Sequence, residues 1–179
     1  MSVLRIAWAI TGAGHTLAAC ADCMLAYQSV DVFLSRAAEE VVRMYGLQDR
    51  LQKAGLRVYR ETLASSPLVV RLFEGKYLAL VIAPATSNSV AKFVYGISDT
   101  LVTNLFAQAG KSRVPVIVLP TDLASEMDTE GPHGEAARVY PRPIDLENTA
   151  RLRAFPGVRV VNTPLEIVQC LESFRSPEN

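Results

Sequence analysis

Residues suited to disulfide bonds, metal binding and aromatic stacking are scarce in this chain. Its 179 residues include three cysteines, two histidines and 7% aromatic residues. Three cysteines cannot all pair, which excludes a secreted disulfide scaffold. The Cys20-Ala21-Asp22-Cys23 spacing suits zinc, but it falls within a predicted helix at 16–27. Two further ligands would have to come from His15, His133 and Cys170. We therefore expect buried or half-buried thiols and no metal.

The chain also lacks an excess of either charge and any long apolar run. Eighteen basic and 18 acidic residues give a formal net charge of zero, which argues against binding to nucleic acid or anionic membranes. No apolar run approaches the roughly 20 residues that span a bilayer. The first strand follows the N-terminus without a charged leader and cleavage site. We therefore expect a cytoplasmic protein.

What the sequence does contain is a regular alternation of apolar strands and helical patterns. Strands are predicted at 3–10, 30–34, 56–59, 78–83, 114–119 and 158–161. Helices are predicted at 16–27, 36–44, 48–54, 67–74, 89–109, 146–153 and 164–174. With 50% hydrophobic residues, this alternation predicts a single α/β domain over residues 1–175. We expect a doubly wound, mainly parallel sheet in a flavodoxin-like or Rossmann-like three-layer sandwich.

One stretch, residues 120–145, breaks this rhythm. It contains Gly131, Gly134 and several prolines, and a loop of this length is a functional flap, a partner-contact segment or a disordered segment. These alternatives stay open at the level of the sequence. The last residues, 176–179, are expected to fray.

The most informative segment is the end of the predicted strand at 78–83. The apolar run stops at Pro84, and Ala85 is followed by four small polar residues, Thr86-Ser87-Asn88-Ser89, where the next helix should begin. Four such side chains exceed what one helix cap requires. A strand that delivers hydroxyls, an amide and free backbone N–H groups to its carboxyl end predicts a ligand site there.

Two further strand ends carry residues suited to a phosphate. Gly12-Ala13-Gly14 follows the first strand, where the next helix offers unpaired N–H groups, and a plain tight turn is the alternative. Ser35 follows the second strand and either caps the next helix or binds phosphate, two roles with the same geometry. Leu17 stands where a dinucleotide fingerprint needs its third glycine, and Ser35 where it needs an acid. We therefore predict a phosphorylated, partly apolar ligand rather than a dinucleotide.

Three separated motifs resemble one known family. They are Ile10-Thr11-Gly12-Ala13-Gly14-His15, the block at 83–92 with its continuation Gly96-Ile97-Ser98-Asp99-Thr100-Leu101, and Pro115-Val116-Ile117-Val118-Leu119-Pro120. In this order and spacing over residues 3–120, they resemble the flavoprotein superfamily. That superfamily includes FMN-dependent cysteine decarboxylases and flavin prenyltransferases. The opening motif looks closest to the dihydromethanopterin reductase branch.

The resemblance implies FMN as the cofactor and a set of residues that contact it. The glycine loop (Gly12, Ala13 and Gly14) and Ser35 would hold the phosphate, while Thr86, Ser87, Asn88 and Ser89 would line the ribityl chain and the edge of the ring. The predicted set is completed by His15, Pro84, Ala85, Ser98 and Thr100. The segment 98–100 interrupts a helical pattern and is either a helix cap or a floor under the flavin. His15, expected in the first turn of a helix, is a weak catalytic candidate with a surface or capping role as the alternative.

Residues specific to other branches of the superfamily are missing. The decarboxylases carry a catalytic histidine near the third strand, whereas residues 56–80 contain none. Their Pro-Ala-Met-Asn segment is replaced by Pro120-Thr121-Asp122-Leu123, and the prenyltransferases carry an Arg-Glu pair where this chain has Thr121-Asp122. The resemblance therefore favours an FMN-dependent reductase that converts dihydromethanopterin to tetrahydromethanopterin by hydride transfer from reduced flavin. The alternatives are an FMN electron carrier with a ferredoxin-like partner and a decarboxylase or prenyltransferase relative.

The resemblance also implies partners. They are a pterin substrate, NAD(P)H or a redox protein as the electron donor, and further copies of the chain, since the family builds trimers that often assemble further. Within the 120–145 stretch, Arg138, Tyr140 and Arg142 are candidate contacts to an anionic or pterin-like substrate or to a neighbouring subunit. His133 is expected to be exposed.

Overall fold

The computed structural model describes residues 4–62 and 69–175 of the chain. The strands are β1 (Arg5–Ile10), β2 (Val30–Leu34), β3 (Arg57–Arg60), β4 (Tyr77–Ala85), β5 (Val116–Pro120), β6 (Met127–Glu130), β7 (Ala136–Val139) and β8 (Val158–Val160). The α-helices are α1 (Leu17–Leu25), α2 (Arg36–Met44), α3 (Gln48–Lys53), α4 (Ser87–Tyr95), α5 (Leu101–Lys111), α6 (Pro143–Leu152) and α7 (Pro164–Arg175), and a 3₁₀ helix covers Val70–Glu74. None of the helices in these ranges is long and apolar enough to cross a membrane.

Six of the strands form one sheet with helices on both faces. The order is β3-β2-β1-β4-β5-β8, and every neighbouring pair is parallel. On one face α1, α2 and α7 bury residues such as Leu17, Val42 and Ile167, and on the other α4 and α5 bury Phe93 and Leu105. Both faces of the central strands are covered, which explains their almost entirely apolar sequences. The predicted doubly wound three-layer sandwich is confirmed.

A buried ion pair ties three strands together at the amino end of the sheet. The side chain of Asp31 on β2 is only 2% exposed. Its carboxylate accepts hydrogen bonds from Arg5 Nη2 at 2.7 Å and Nε at 3.0 Å, and from the Tyr77 hydroxyl at 2.7 Å. Hydrogen bonding to this carboxylate raises the pKa of Arg5. Since these residues lie on β2, β1 and β4, the contacts fix the end of the sheet opposite to the predicted ligand edge.

Several predicted elements differ in the structure. The helical pattern at 89–109 forms two helices, because Gly96 takes a left-handed φ of 71° that ends α4 and Thr100 caps the start of α5. The stretch at 120–145 contains an antiparallel hairpin of β6 and β7, and α6 begins at Pro143 rather than at 146, with proline in its first turn. Of the helix predicted at 67–74, only the 3₁₀ turn lies within the described residues. Residues 1–3 and the tail at 176–179 lie outside them.

Candidate functional site

The strand order reverses between β1 and β4. The sheet runs from β1 through β2 to β3 on one side, and from β4 through β5 to β8 on the other. Parallel α/β sheets bind ligands at such a point, in the crevice outside the carboxyl ends of the strands. The predicted segments 12–14 and 86–89 follow β1 and β4, so the fold brings them to one edge. Ala13, Pro84 and Ala85 are buried there and offer backbone groups rather than polar side chains.

Thr11 joins the loops that follow β1 and β4. It is 2% exposed, and its hydroxyl donates to the Pro84 carbonyl at 2.9 Å while accepting from the Thr86 backbone N–H at 2.9 Å. One hydroxyl can donate once and still accept, so this side chain fixes both loops relative to each other. The predicted site omits Thr11. The role of Thr11 depends on its burial and on its hydrogen bond with the distant Thr86. The spacing of residues in the sequence indicates neither of these.

Ser35 and Gly12 bring the start of α2 against the first loop. The Ser35 hydroxyl oxygen accepts from the Ala38 N–H at 3.1 Å, which confirms the capping alternative. This bond uses a lone pair and leaves the hydroxyl proton for an acceptor such as a phosphate oxygen. A Cβ on Gly12 would lie 2.6 Å from the Ala37 Cβ. The loop therefore approaches the helix this closely only because residue 12 is glycine.

Replacing Gly12 with alanine is expected to weaken both stability and ligand binding. The added methyl group would meet the Ala37 Cβ, so the loop or the start of α2 has to move. Overpacking of this kind costs about 1–3 kcal/mol, which urea denaturation measures. Gly14→Ala is the comparison for stability alone, because its methyl group meets the end of the Tyr45 side chain, which can rotate away at the loss of one exposed hydrogen bond to the Glu130 carbonyl. Equal losses in the two variants would contradict this explanation.

The first turn of α4 carries the polar residues of the second segment. Thr86 is its N-cap, accepting from the Ser89 N–H at 3.3 Å and donating to the Ser89 hydroxyl at 3.0 Å. These two side chains therefore stabilise the helix start. Ser87 is half-buried and Asn88 is exposed. Ser87 and Asn88 present the polar groups of this segment at the edge of the sheet.

The connection between α4 and α5 contains the last two predicted residues. Thr100 caps α5 in a capping box, accepting from the Thr103 N–H at 3.2 Å while its own N–H donates to the Thr103 hydroxyl at 2.9 Å. The cap alternative for this segment is thus confirmed at Thr100, whereas Ser98 is exposed. Asp99 accepts hydrogen bonds from Lys92 Nζ at 2.8 Å on both oxygens, and these bonds lower the pKa of Asp99.

The β6–β7 hairpin folds back onto the loop that follows β1. His15 Nδ1 lies 3.2 Å from the Thr129 hydroxyl oxygen, and the Tyr45 hydroxyl donates to the Glu130 carbonyl at 3.1 Å. These residues line an open cavity of about 720 Å³. His15 precedes the start of α1 rather than lying in its first turn, which corrects the predicted position. Tyr45, Thr129 and Glu130 are absent from the predicted site, since only folding brings their distant segments together.

Other candidate residues of the 120–145 stretch are engaged within the chain or exposed. Arg138 pairs with two carboxylates of its own segment at 2.6 and 3.0 Å. Arg142 pairs with Asp145 at 2.8 Å and lowers the pKa of that carboxyl. Tyr140 and His133 are exposed, as predicted for His133. Neither Arg138 nor Arg142 therefore offers an unpaired positive charge to an anionic substrate.

The cysteines are buried or half-buried thiols, as predicted. Cys20 is buried, and Cys23 and Cys170 are half-buried. Burial raises the pKa of Cys20 to about 12 and also raises the pKa of Cys23. Cys20 is therefore protonated at neutral pH and is a poor nucleophile or metal ligand.

The edge of the sheet combines a glycine loop with three helix starts. Ser35, Thr86 and Thr100 cap α2, α4 and α5, and Gly12 allows the loop after β1 to touch α2. Helix N-termini carry partial positive charge and unpaired N–H groups, which suit a phosphate. This arrangement at the switch point of a parallel sheet defines a class of proteins, the α/β proteins that bind a phosphorylated, nucleotide-like ligand.

Comparison with known proteins places the chain within that class. The family model described as Flavoprotein matches residues 1–176, so the chain belongs to the Flavoprotein family. It is 38% identical over 172 residues to an uncharacterised protein of Methanocaldococcus jannaschii, covering 92% of each chain. It is 45% identical over 146 residues to dihydromethanopterin reductase (acceptor) of Methanosarcina mazei, a match that covers 74% of this chain and 61% of the reductase. The chain thus spans less than two thirds of the length of that reductase.

A solved structure agrees with this assignment. DmrB from Burkholderia xenovorans in complex with FMN, described as a cubic protein cage for redox transfer, superimposes with a TM-score of 0.86. The two are 43% identical, and the match covers 95% of this chain and 94% of DmrB. The predicted flavoprotein family and the resemblance to dihydromethanopterin reductases are confirmed.

Proposed function

We propose that this chain binds FMN at the carboxyl edge of its sheet and acts as an oxidoreductase that reduces dihydromethanopterin to tetrahydromethanopterin. One observation carries the proposal: Thr11 links the first loop to the start of α4, and Gly12 lies against the start of α2 beside Ser35, so the three predicted segments meet at the switch point. The similarity to the reductase of Methanosarcina mazei and to the FMN complex of DmrB supports it.

The residues at this edge fit the chemistry of FMN. The Ser35 hydroxyl keeps its proton for a phosphate oxygen, and the start of α2 beside Gly12 provides a positive helix end. Ser87 and Asn88 offer a hydroxyl and an amide to the ribityl chain or the ring edge. Neither binding of the phosphate nor contact with the ribityl chain or the ring edge requires a charged side chain.

Bound FMN would supply the redox chemistry, a hydride equivalent for the C=N bond of the dihydropterin, with the two electrons drawn from an external donor. The residues of the chain bind, orient and shield the cofactor. Thr11 holds the β4–α4 junction in place, and the hairpin that contacts His15 and Tyr45 covers one side of the first loop. The proton that completes the reduced pterin comes from water or from His15, which lines the cavity.

An FMN electron carrier is the second candidate. The neutralisation of Arg138 and Arg142 by carboxylates of the chain favours it, because the expected cationic contacts to a substrate are then missing. A carrier needs the same cofactor and an exposed path for electrons but no pterin pocket. The two candidates therefore differ in the acceptor and not in the cofactor.

Anaerobic stopped-flow measurement separates the two candidates. The purified protein is expected to be yellow with flavin absorbance, and the reduced protein is expected to be reoxidised rapidly by dihydromethanopterin and slowly by ferredoxin. The opposite order of rates would favour the carrier, and a preparation that neither contains nor binds FMN would overturn both. Reduction by NADH, NADPH and a low-potential donor in turn identifies the class of electron donor.

We also propose that the chain forms a homo-oligomer. Light scattering on the same preparation tests this proposal, and a stable monomer would contradict it.

A further inference from the structure

Glu61 is a carboxylate placed between the starts of two helices. It follows β3 at the carboxyl edge, where its N–H donates to the Leu34 carbonyl at 3.0 Å. Its Oε2 accepts from the Arg36 N–H at 2.8 Å, and its Oε1 accepts from the Leu101 N–H at 2.8 Å. Arg36 is the first residue of α2 and Leu101 the first residue of α5. One side chain therefore occupies a first-turn amide of each helix.

Both helix starts also carry residues of the predicted cofactor site: Ser35 as a contact to the phosphate, and Thr100 in the segment predicted as a helix cap or a floor under the flavin. Ser35 directly precedes Arg36, and Thr100 directly precedes Leu101, so both predicted contacts are neighbours of amides that Glu61 holds. Helix N-termini favour one negative charge, and charge-assisted bonds to their N–H groups are strong. A second anion at the same place meets like-charge repulsion. Glu61 and a phosphate bound beside Ser35 would therefore compete for the positive start of α2.

We propose that Glu61 is an affinity- and specificity-determining residue for the cofactor: its carboxylate is an internal anion that stabilises the starts of α2 and α5 without the cofactor and opposes the phosphate of FMN. This inference rests on the proposed function for the identity of the ligand. It predicts two effects of opposite sign. Removing the negative charge should destabilise the free protein and strengthen its binding of a phosphorylated flavin.

A purely structural role for Glu61 predicts a different pattern. If the side chain only joins the two helices, its loss loosens the whole site. Binding of FMN and of riboflavin, which lacks the phosphate, would then weaken by similar factors. The ratio of the two dissociation constants is therefore the informative quantity, because a general loss of order leaves it unchanged.

Glu61→Gln and Glu39→Gln form the test and its matched control. Both remove one carboxylate near the start of α2, but Glu39 pairs with the Arg60 side chain at 3.3 Å rather than with first-turn amides of two helices. Dissociation constants for FMN and riboflavin are measured by quenching of flavin fluorescence. Glu61→Gln is expected to tighten FMN at least tenfold and leave riboflavin within about twofold. Glu39→Gln is expected to leave the ratio unchanged, as is Glu61→Asp, which keeps the charge.

Thermal unfolding of the cofactor-free protein provides a second measurement. The Glu61→Gln protein should melt at a lower temperature than the wild type but gain more stability from added inorganic phosphate. Weaker FMN binding, an unchanged ratio, or tightening of both flavins would overturn the proposal. If the wild type binds no FMN, the proposed function fails, and the phosphate titration decides the role of Glu61 by itself. If Glu61→Gln does not fold, Glu61→Ala is measured in the same way, and a ratio equal to that of the wild type would overturn the proposal.

Discussion

Replacing Asp31 with alanine is expected to lower the free energy of unfolding by about 2–4 kcal/mol, because it removes a buried carboxylate that accepts charge-assisted hydrogen bonds from two side chains, while the Arg5 left behind is 27% exposed and stays partly solvated. The Arg5 guanidinium would lose both of its bonds to the carboxylate, and the Tyr77 hydroxyl would lose the acceptor at 2.7 Å. Urea denaturation of the cofactor-free protein measures the loss. Since the pair lies at the amino end of the strands, the affinity for FMN should be unchanged wherever the variant is folded.

Asp22→Ala is the matched control for this variant. Asp22 pairs with Arg50 at 2.5 Å on the surface, where the two side chains are 66% and 44% exposed. Exposed pairs contribute roughly 0–1 kcal/mol because water and salt screen them. The difference in burial, and not the presence of an ion pair, is thus expected to set the size of the effect. A loss at Asp31 as small as the loss at Asp22 would disprove the structural role assigned to the buried pair.

Replacing Thr11 with valine is expected to impair both stability and cofactor binding. Valine keeps the shape of the side chain but leaves the Thr86 N–H and the Pro84 carbonyl without the hydroxyl that contacts each of them at 2.9 Å. The Thr86 N–H is then left without its acceptor, which costs about 1–3 kcal/mol, whereas the Pro84 carbonyl still accepts from the Thr11 backbone N–H at 3.3 Å. The β4–α4 junction then loses its fixed position relative to the first loop. We expect the dissociation constant for FMN to rise roughly tenfold or more, which corresponds to about 1.4 kcal/mol.

Two comparisons separate a positioning role of Thr11 from a general loss of stability. Thr11→Ser retains the hydroxyl and should recover most of the affinity for FMN. Asp31→Ala loses at least as much stability at the far end of the sheet and should retain the affinity. If Thr11→Val and Asp31→Ala affect FMN binding equally, or if Thr11→Val binds FMN as well as the wild type, Thr11 does not position the site.

The central strands could be predicted because each is almost entirely apolar, with Arg5 in β1 and Asp31 in β2 as the charged exceptions. Residues 30–34 are buried in the structure over the whole predicted range, since a parallel strand covered on both faces leaves no polar alternation to interpret. In the sequence, Gly96 and the polar residues up to Thr100 mark a break in the helical pattern at 89–109, but the helical periodicity of apolar residues continues on both sides of this break. Only the left-handed backbone at Gly96 and the capping box at Thr100 show that two helices are present.

The hairpin within 120–145 could not be predicted from its composition. Its strands are short and largely exposed, so they lack the apolar alternation that identifies a half-buried strand. Contacts made after folding, such as that between His15 and Thr129, place it over the first loop. The same limit applies to Glu61, whose two partners are 25 and 40 residues away in the chain.

The sequence by itself determined the fold class and the family and predicted the edge of the sheet at which a ligand would bind, because buried strands, glycine loops and helix caps are local patterns. The tertiary structure alone decided which groups meet at that edge. Thr11 reaches Thr86, and Glu61 reaches Arg36 and Leu101, only when the parallel strands are ordered around β1. Hydrogen bonds between distant segments depend on this order, and no local pattern of residues contains it.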